Sequence, residues 1–203
     1  MKDNEFRFDP IEHKYWLGDE VMPSVTQIIA PLNDFSKVPP DVLSKKAKSG
    51  SDIHLTIKLW LDNTLDESTL SEGNKIALDL FEKWFVSEEA CRFGVLKEYE
   101  NPTYHKKFNY GGTPDLVFGE AIVDLKTRKY NKYYDPVQLA GYLKMYPEWP
   151  PKSLWVLFID IVERKTTLQK AENKPAWGMF RQLLDKFNYD KGMEETIKRW
   201  KGK

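Results

Sequence analysis

The stretch GGTPDLVFGEAIVDLKTRK, residues 111–129, sets Asp115, Asp124 and Lys126 among valines, leucines and isoleucines. On a strand, residues two apart point the same way, so Asp124 and Lys126 share one face while Val123 and Leu125 take the other. With Gly119-Glu120 as the reversal, Asp115 lies on the preceding strand, where it could face Asp124 across a hairpin. Two carboxylates so placed repel each other unless a cation sits between them. Carboxylates, a backbone carbonyl and waters suit a hard divalent ion, Mg²⁺ or Mn²⁺. A lysine beside that ion could orient water or stabilise charge developing on a phosphate. The alternative is that all three are ordinary solvent-facing positions of a half-buried sheet. Either way, Asp124 and Lys126 are expected on a polar face rather than in the core.

The elements that must position these residues follow from periodicity and punctuation. FRFDPIEHKYWLGDEVMPSVTQIIA reads as two short strands around a turn, with Gly18-Asp19 marking the next reversal and Pro23-Ser24 starting a helix. A loop at SKVPP precedes a helix over about 41–62, interrupted by Gly50. The acidic stretch from Asp62 to Glu72 reads as a solvated connection, and a second helix covers about 69–88. From about residue 93 the period becomes extended: FGVLKEYENPTY, KFNYGGTPDLVFG and EAIVDLKTRK give three strands. A helix at about 134–147, a buried strand at KSLWVLFIDIV, its neighbour RKTTLQKA and a helix at about 175–201 complete the chain.

Composition bounds the function classes. The 203 residues include 41% hydrophobic and 31% charged side chains, enough for a sizeable core with a solvated surface. Basic and acidic residues balance at 31 each, so any case for a nucleic-acid partner must rest on local clusters. One cysteine, Cys91, excludes an internal disulfide and a four-cysteine zinc or iron–sulfur site. No apolar run approaches the roughly 18 residues needed to span a bilayer. The charged start MKDNEFRFDP lacks a signal-peptide core, so a soluble, cytoplasmic protein is expected.

The chemical block, taken with its flanks, resembles the PD-(D/E)XK nuclease superfamily in its RecB-like and phage-exonuclease branch. The residues that carry the resemblance are GGTPD with Pro114-Asp115, DLK at 124–126, and QLAGY with Gln138 and Tyr142 four apart on one helix face. ENPTY with its leading Glu100, MPSVTQII near the N-terminus and AKSGSDIH at 47–54 resemble further recurring pieces of the phage members. Together they run from about residue 15 to 160.

The resemblance implies a restriction-endonuclease-like α/β fold, a mixed sheet of about five strands flanked by helices with an N-terminal helical part. It implies one nuclease domain over 1–203, with the strand pair and helical part in 1–90 and the catalytic sheet and its helices in 91–203. It makes Asp115 and Asp124 metal ligands with the Leu125 carbonyl as a third, and His54 the helix histidine that completes the site. Lys126 becomes the catalytic lysine, while Gln138 and Tyr142 support the site or touch the DNA backbone. Glu100 is placed with them, Glu98 being the competing assignment. Asp124 stands where glutamate is commoner in the family.

The activity implied is hydrolysis of DNA phosphodiester bonds with Mg²⁺ or Mn²⁺ and no iron–sulfur cluster, as an end-dependent exonuclease of phage-type recombination or repair. A structure-selective or single-strand endonuclease, or a non-catalytic DNA-binding member of the fold, are the alternatives. The intact set of Asp115, Asp124 and Lys126 argues against the last. DNA is the expected partner, with a homo-oligomer or a recombination partner protein compatible, and the setting implied is a phage-encoded product in a bacterial cytoplasm. Two basic groups flank the motif, Lys45, Lys46 and Lys48 before His54 and Arg128, Lys129 and Lys132 after Lys126, and both suit phosphate contacts. Tyr130, Tyr133 and Tyr134 interleave with the second. His13 and His105 are expected at the surface or in turns.

Overall fold

The structure is a computed structural model that describes residues 5–33, 38–171 and 174–202. Of the loop expected at SKVPP, Ser36 and Lys37 lie outside the described residues. The chain opens with an antiparallel three-stranded sheet, β1 (Phe6–Asp9), β2 (Lys14–Leu17) and β3 (Glu20–Met22), so the reversal at Gly18-Asp19 leads into a third strand. The short helix α1 (Val25–Ile29) follows, started by a capping box: the Ser24 hydroxyl accepts from the Gln27 amide, and the Gln27 side chain accepts from the Ser24 amide. Helix α2 (Pro40–Leu61) runs unbroken through Gly50, because one glycine costs only about 1 kcal/mol and Ile53 and Ile57 pack the helix against the core. The helix expected over 69–88 is two helices, α3 (Glu72–Phe85) and α4 (Glu88–Cys91), because Ser87 caps a new helix with its hydroxyl on the Ala90 amide.

The three strands expected between 93 and 129 are five. FGVLKEYENPTY divides into β4 (Leu96–Tyr99) and β5 (Thr103–His105), and the break falls at Glu100, whose φ of 44° is incompatible with a strand. KFNYGGTPDLVFG divides into β6 (Tyr110–Gly112) and β7 (Leu116–Phe118), because Pro114 has no amide to give a ladder. Strand β8 (Ala121–Lys126) follows the two-residue reversal at Gly119-Glu120, as expected. Gly111 and Gly112 lie in β6, paired with β5. Glycine is needed at 111 for close approach: a Cβ there would lie 2.3 Å from Cγ of Tyr15. Helix α5 (Asp135–Leu143) is shorter than the expected 134–147 and leads to β9 (Ser153–Asp160), β10 (Lys165–Lys170) and the long helix α6 (Ala176–Lys201).

Among the described residues, five strands form the central sheet in the order β10-β9-β8-β7-β4. It is mixed: β8 and β9 run parallel, joined through α5, and the other neighbours are antiparallel. Helices cover both faces. On one, Leu116, Phe118, Val123, Leu125 and Leu157 pack with Ile53 and Ile57 of α2 and Phe81 and Trp84 of α3. On the other, Val117, Ile122, Leu154 and Val156 pack with Val137 and Leu139 of α5 and Phe180 and Leu184 of α6. As the central strand, β8 is enclosed from both sides, and only Lys126 at its end is partly exposed. This overturns the expectation of a polar face for Asp124 and Lys126.

Candidate active site

Asp124 lies at 1% exposure on the face of β8 that looks toward α5, sharing it with Ile122 and Lys126. The register that sets Leu116 opposite Val123 puts Asp115, one residue before β7, across from Asp124. The hairpin geometry read from the sequence therefore holds, and the solvent-facing alternative does not. Asp124 Oδ2 is 2.6 Å from Lys126 Nζ, and Oδ1 has no hydrogen-bonding partner among the described residues. Burial pushes the Asp124 carboxyl up to about 7, with the neighbouring Lys126 pulling down and Asp115 pushing up. Burial also opposes the charge on Lys126, yet Asp124 and Asp115 outweigh it and hold the ammonium above its usual range.

The second half of the site comes from α2 and from the bend after β4. His54 Nδ1 lies 3.0 Å from Glu100 Oε1 and 3.3 Å from Asp115 Oδ1, while Nε2 lies 3.2 Å from the Leu125 carbonyl oxygen. Ionised carboxylates and carbonyls only accept, so this arrangement suits a ring with protons on both nitrogens, an imidazolium. Burial works against that charge, but Asp115 and Glu100 hold the group well above its ordinary pKa. Burial alone would raise Asp115; the imidazolium, Lys126 and the Leu125 amide, 2.5 Å from Oδ2, bring it below the usual carboxylate range. Glu100 is raised, chiefly by burial. Its left-handed backbone aims the side chain at His54, a conformation that costs a non-glycine residue about 1 kcal/mol or more.

His54, Glu100 and Asp115 each offer a ligand atom, and the three atoms lie within 4.8 Å of one another. One imidazole nitrogen and two carboxylates, with the Leu125 carbonyl adjacent and the unsatisfied Oδ1 of Asp124 nearby, form a donor set that fits Mg²⁺ or Mn²⁺. The positive imidazolium stands where an ion's charge would balance the same acids. His54, Glu100 and Asp115 open on a cavity of about 490 Å³ whose lining also includes Lys126, Gln138 and Tyr142. Gln138 Nε2 donates to the Tyr142 hydroxyl at 3.2 Å, as their spacing on one helix face allows, and leaves Gln138 Oε1 buried without a hydrogen bond.

The structure thus brings together His54, Glu100, Asp115, Asp124, Leu125, Lys126, Gln138 and Tyr142. Glu98 lies elsewhere, accepting from the Tyr146 hydroxyl at 3.0 Å and from Asn101 at 3.1 Å. The two basic groups do not line the cavity. Lys48 pairs with Asp52, Arg128 forks onto the buried Asp135, Lys132 lies over the Tyr133 ring, and Lys129 borders a separate hollow beside Tyr130. Lys45 and Lys46 are exposed on α2.

The cavity residues given no role by the sequence reading include His13, Thr26, Leu55, Lys58 and Thr113. Lys58 carried a signal, since it follows His54 by four and shares its helix face. His13 is exposed in the turn between β1 and β2, as expected, but its place beside the cavity carried no signal, because it depends on β2 packing over β6. Its ring nitrogen lies 3.3 Å from the Tyr15 hydroxyl, which meets Thr113 at 2.8 Å. His105, expected at the surface or in a turn, instead ends β5 half-buried, its Nδ1 accepting from the Lys107 and Phe108 amides of the turn that follows.

No family model and no curated protein matches the chain. Among solved structures, it is similar to an alkaline exonuclease from Laribacter hongkongensis, at 11% identity and a TM-score of 0.49 over 75% of this chain and 84% of that one. It is also similar to a putative exonuclease from Eubacterium rectale, at 10% identity and a TM-score of 0.49 over 67% of this chain and 63% of that one.

Proposed function

We propose that the chain is a metal-dependent DNA nuclease, a single nuclease domain over 1–203 that hydrolyses phosphodiester bonds from DNA ends in recombination or repair. The observation that carries the reading is the convergence of His54, Glu100 and Asp115 beside the buried Asp124–Lys126 pair in an open cavity. The sequence resemblance to PD-(D/E)XK nucleases supports it independently, since it selects the same residues. A divalent ion bound there supplies concentrated positive charge for a phosphoryl group in transfer. The residues of the chain do the rest. Lys126, its ammonium kept charged by two carboxylates, faces the cavity as a partner for a phosphate oxygen. Gln138 Oε1, buried and without a partner, is an acceptor that can orient an incoming water. Tyr142 stays neutral, its hydroxyl held far above the ordinary range mainly by burial, and fixes the Gln138 amide.

The test is cleavage of linear duplex, covalently closed circular and single-stranded DNA by the purified chain, with Mg²⁺, with Mn²⁺ and in chelator. Progressive loss of linear duplex with persistence of closed circles is expected, and Asp115→Asn should abolish it. Absence of cleavage with either ion would overturn the nuclease assignment, and cleavage that survives chelator or Asp115→Asn would overturn the metal-dependent site. Nicking of closed circles as fast as linear duplex is cut would replace the exonuclease with an endonuclease.

A further inference from the structure

A second cavity of about 490 Å³ adjoins the candidate active site along β4, and its walls differ in chemistry. Glu98 stands in this cavity and Glu100 in the other, two residues or about 7 Å of chain apart. Three lysines, Lys106, Lys107 and Lys144, line it, and among the described residues none is paired with a carboxylate. Two acids also line it. Glu98 Oε2 accepts from Tyr146 and Asn101, and Glu148 sits at the exposed rim.

The cavity also holds an aromatic plate. Trp149 is 38% exposed, and its ring meets that of Tyr146 at a centroid distance of 4.8 Å. Tyr146 is itself fixed, being 5% exposed with its hydroxyl donating to Glu98 at 3.0 Å. Trp149 sits in YPEWPP, where Pro147, Pro150 and Pro151 restrict the backbone around it. An exposed tryptophan held this firmly offers a face to a planar ligand without an ordering cost on binding.

Cations without a carboxylate partner, two of them lying over the Phe108 and Trp177 rings, beside a rigid aromatic face match a polyanion that carries unstacked rings. We propose that this cavity binds a single strand of DNA adjoining the scissile bond, with Lys106, Lys107 and Lys144 on phosphates and a base stacked on Trp149. The assignment rests on the nuclease reading for its link to catalysis, and duplex DNA does not fit it, since paired bases present no free face.

The test uses fluorescence anisotropy of the full chain in chelator, with a short oligothymidylate and with a blunt duplex. Trp149→Ala should weaken single-strand binding about tenfold or more, and Trp149→Tyr should restore most of it. Replacing the three lysines with glutamine should lower the salt slope by up to about 2, at about 0.7 per phosphate contact on a single strand. An iododeoxyuridine strand should photocrosslink to the Trp149 peptide. Single-strand affinity within twofold of the parent in Trp149→Ala would overturn the proposal, and so would an equal loss on duplex. If Trp149→Ala loses single-strand affinity while the parent cleaves no DNA with any divalent ion, the strand site stands and the nuclease reading falls. If the parent cleaves and Trp149→Ala binds unchanged, the strand site alone falls.

Discussion

Replacing Lys126 with methionine should cost stability in a way that depends on pH, and the size follows from the burial of its partner. Asp124 is 1% exposed, meets Lys126 at 2.6 Å through one oxygen and has no hydrogen bond on the other. Breaking a buried pair typically costs about 3–5 kcal/mol, because it strands a charge. Here the stranded group has an escape, since its carboxyl is already pushed up to about 7 with the lysine present. Without Lys126 its pKa rises further, so Asp124 stays protonated where the parent ionises. A carboxyl raised above its unfolded value of about 3.9 contributes stability below that value, and loses it as pH climbs through the folded value. Below pH 7 both proteins hold a neutral Asp124, and Lys126→Met should lie close to the parent. Above pH 7 the variant should fall behind by about 1.4 kcal/mol per pH unit, reaching about 2 kcal/mol at pH 8.5. Urea unfolding in chelator at pH 5.5 and 8.5 measures this, and in melting temperature each kcal/mol is about 2–4 °C for a chain of this size. The double variant Asp124→Asn/Lys126→Met should show no such pH dependence. A loss equal at both pH values, or a loss at pH 8.5 below about 0.5 kcal/mol, would refute the reasoning.

Three further outcomes are expected. The metal-free protein should lose stability as pH rises past about 6.5, because His54 has its pKa raised by Asp115 and Glu100 and its contribution is complete only below the unfolded value; His54→Asn should flatten that fall in chelator-treated unfolding curves. Mn²⁺ binding followed by titration calorimetry in two buffers should release about one proton at neutral pH, because the ion must displace the proton on His54, and proton release unchanged in His54→Asn would remove that residue from the ligand set. Glu100→Gln should weaken Mn²⁺ binding tenfold or more and Glu98→Gln less than twofold, since only Glu100 reaches His54.

The sequence was most legible where one rule decided the geometry. Period two set Asp124 beside Lys126, and the Gly119-Glu120 reversal set Asp115 across from Asp124. Burial was not legible, because β8 alternates within a strand whose two faces are both covered, so a polar position there looks the same as one on a solvated sheet. The strands between 93 and 118 were read too long, since nothing local in ENPTY announces that Glu100 takes a left-handed conformation. His13 depends on a packing of β2 against β6 across nearly a hundred residues, which Gly111 permits but does not advertise. The charge of Arg128 looked available because its partner Asp135 is seven residues on and buried.

The parallel pairing of β8 with β9 also has a consequence for how the chain is made. During synthesis Asp115, Asp124 and Lys126 leave the ribosome well before residues 153–160, so until β9 arrives β8 has one open edge of unpaired amides and carbonyls flanked by apolar side chains. An edge of that kind recruits any extended segment available, including the same segment of a neighbouring nascent chain. Fragments that end between 127 and 152 should therefore collect in inclusion bodies, and any split of this protein for complementation must keep β8 and β9 in the same piece.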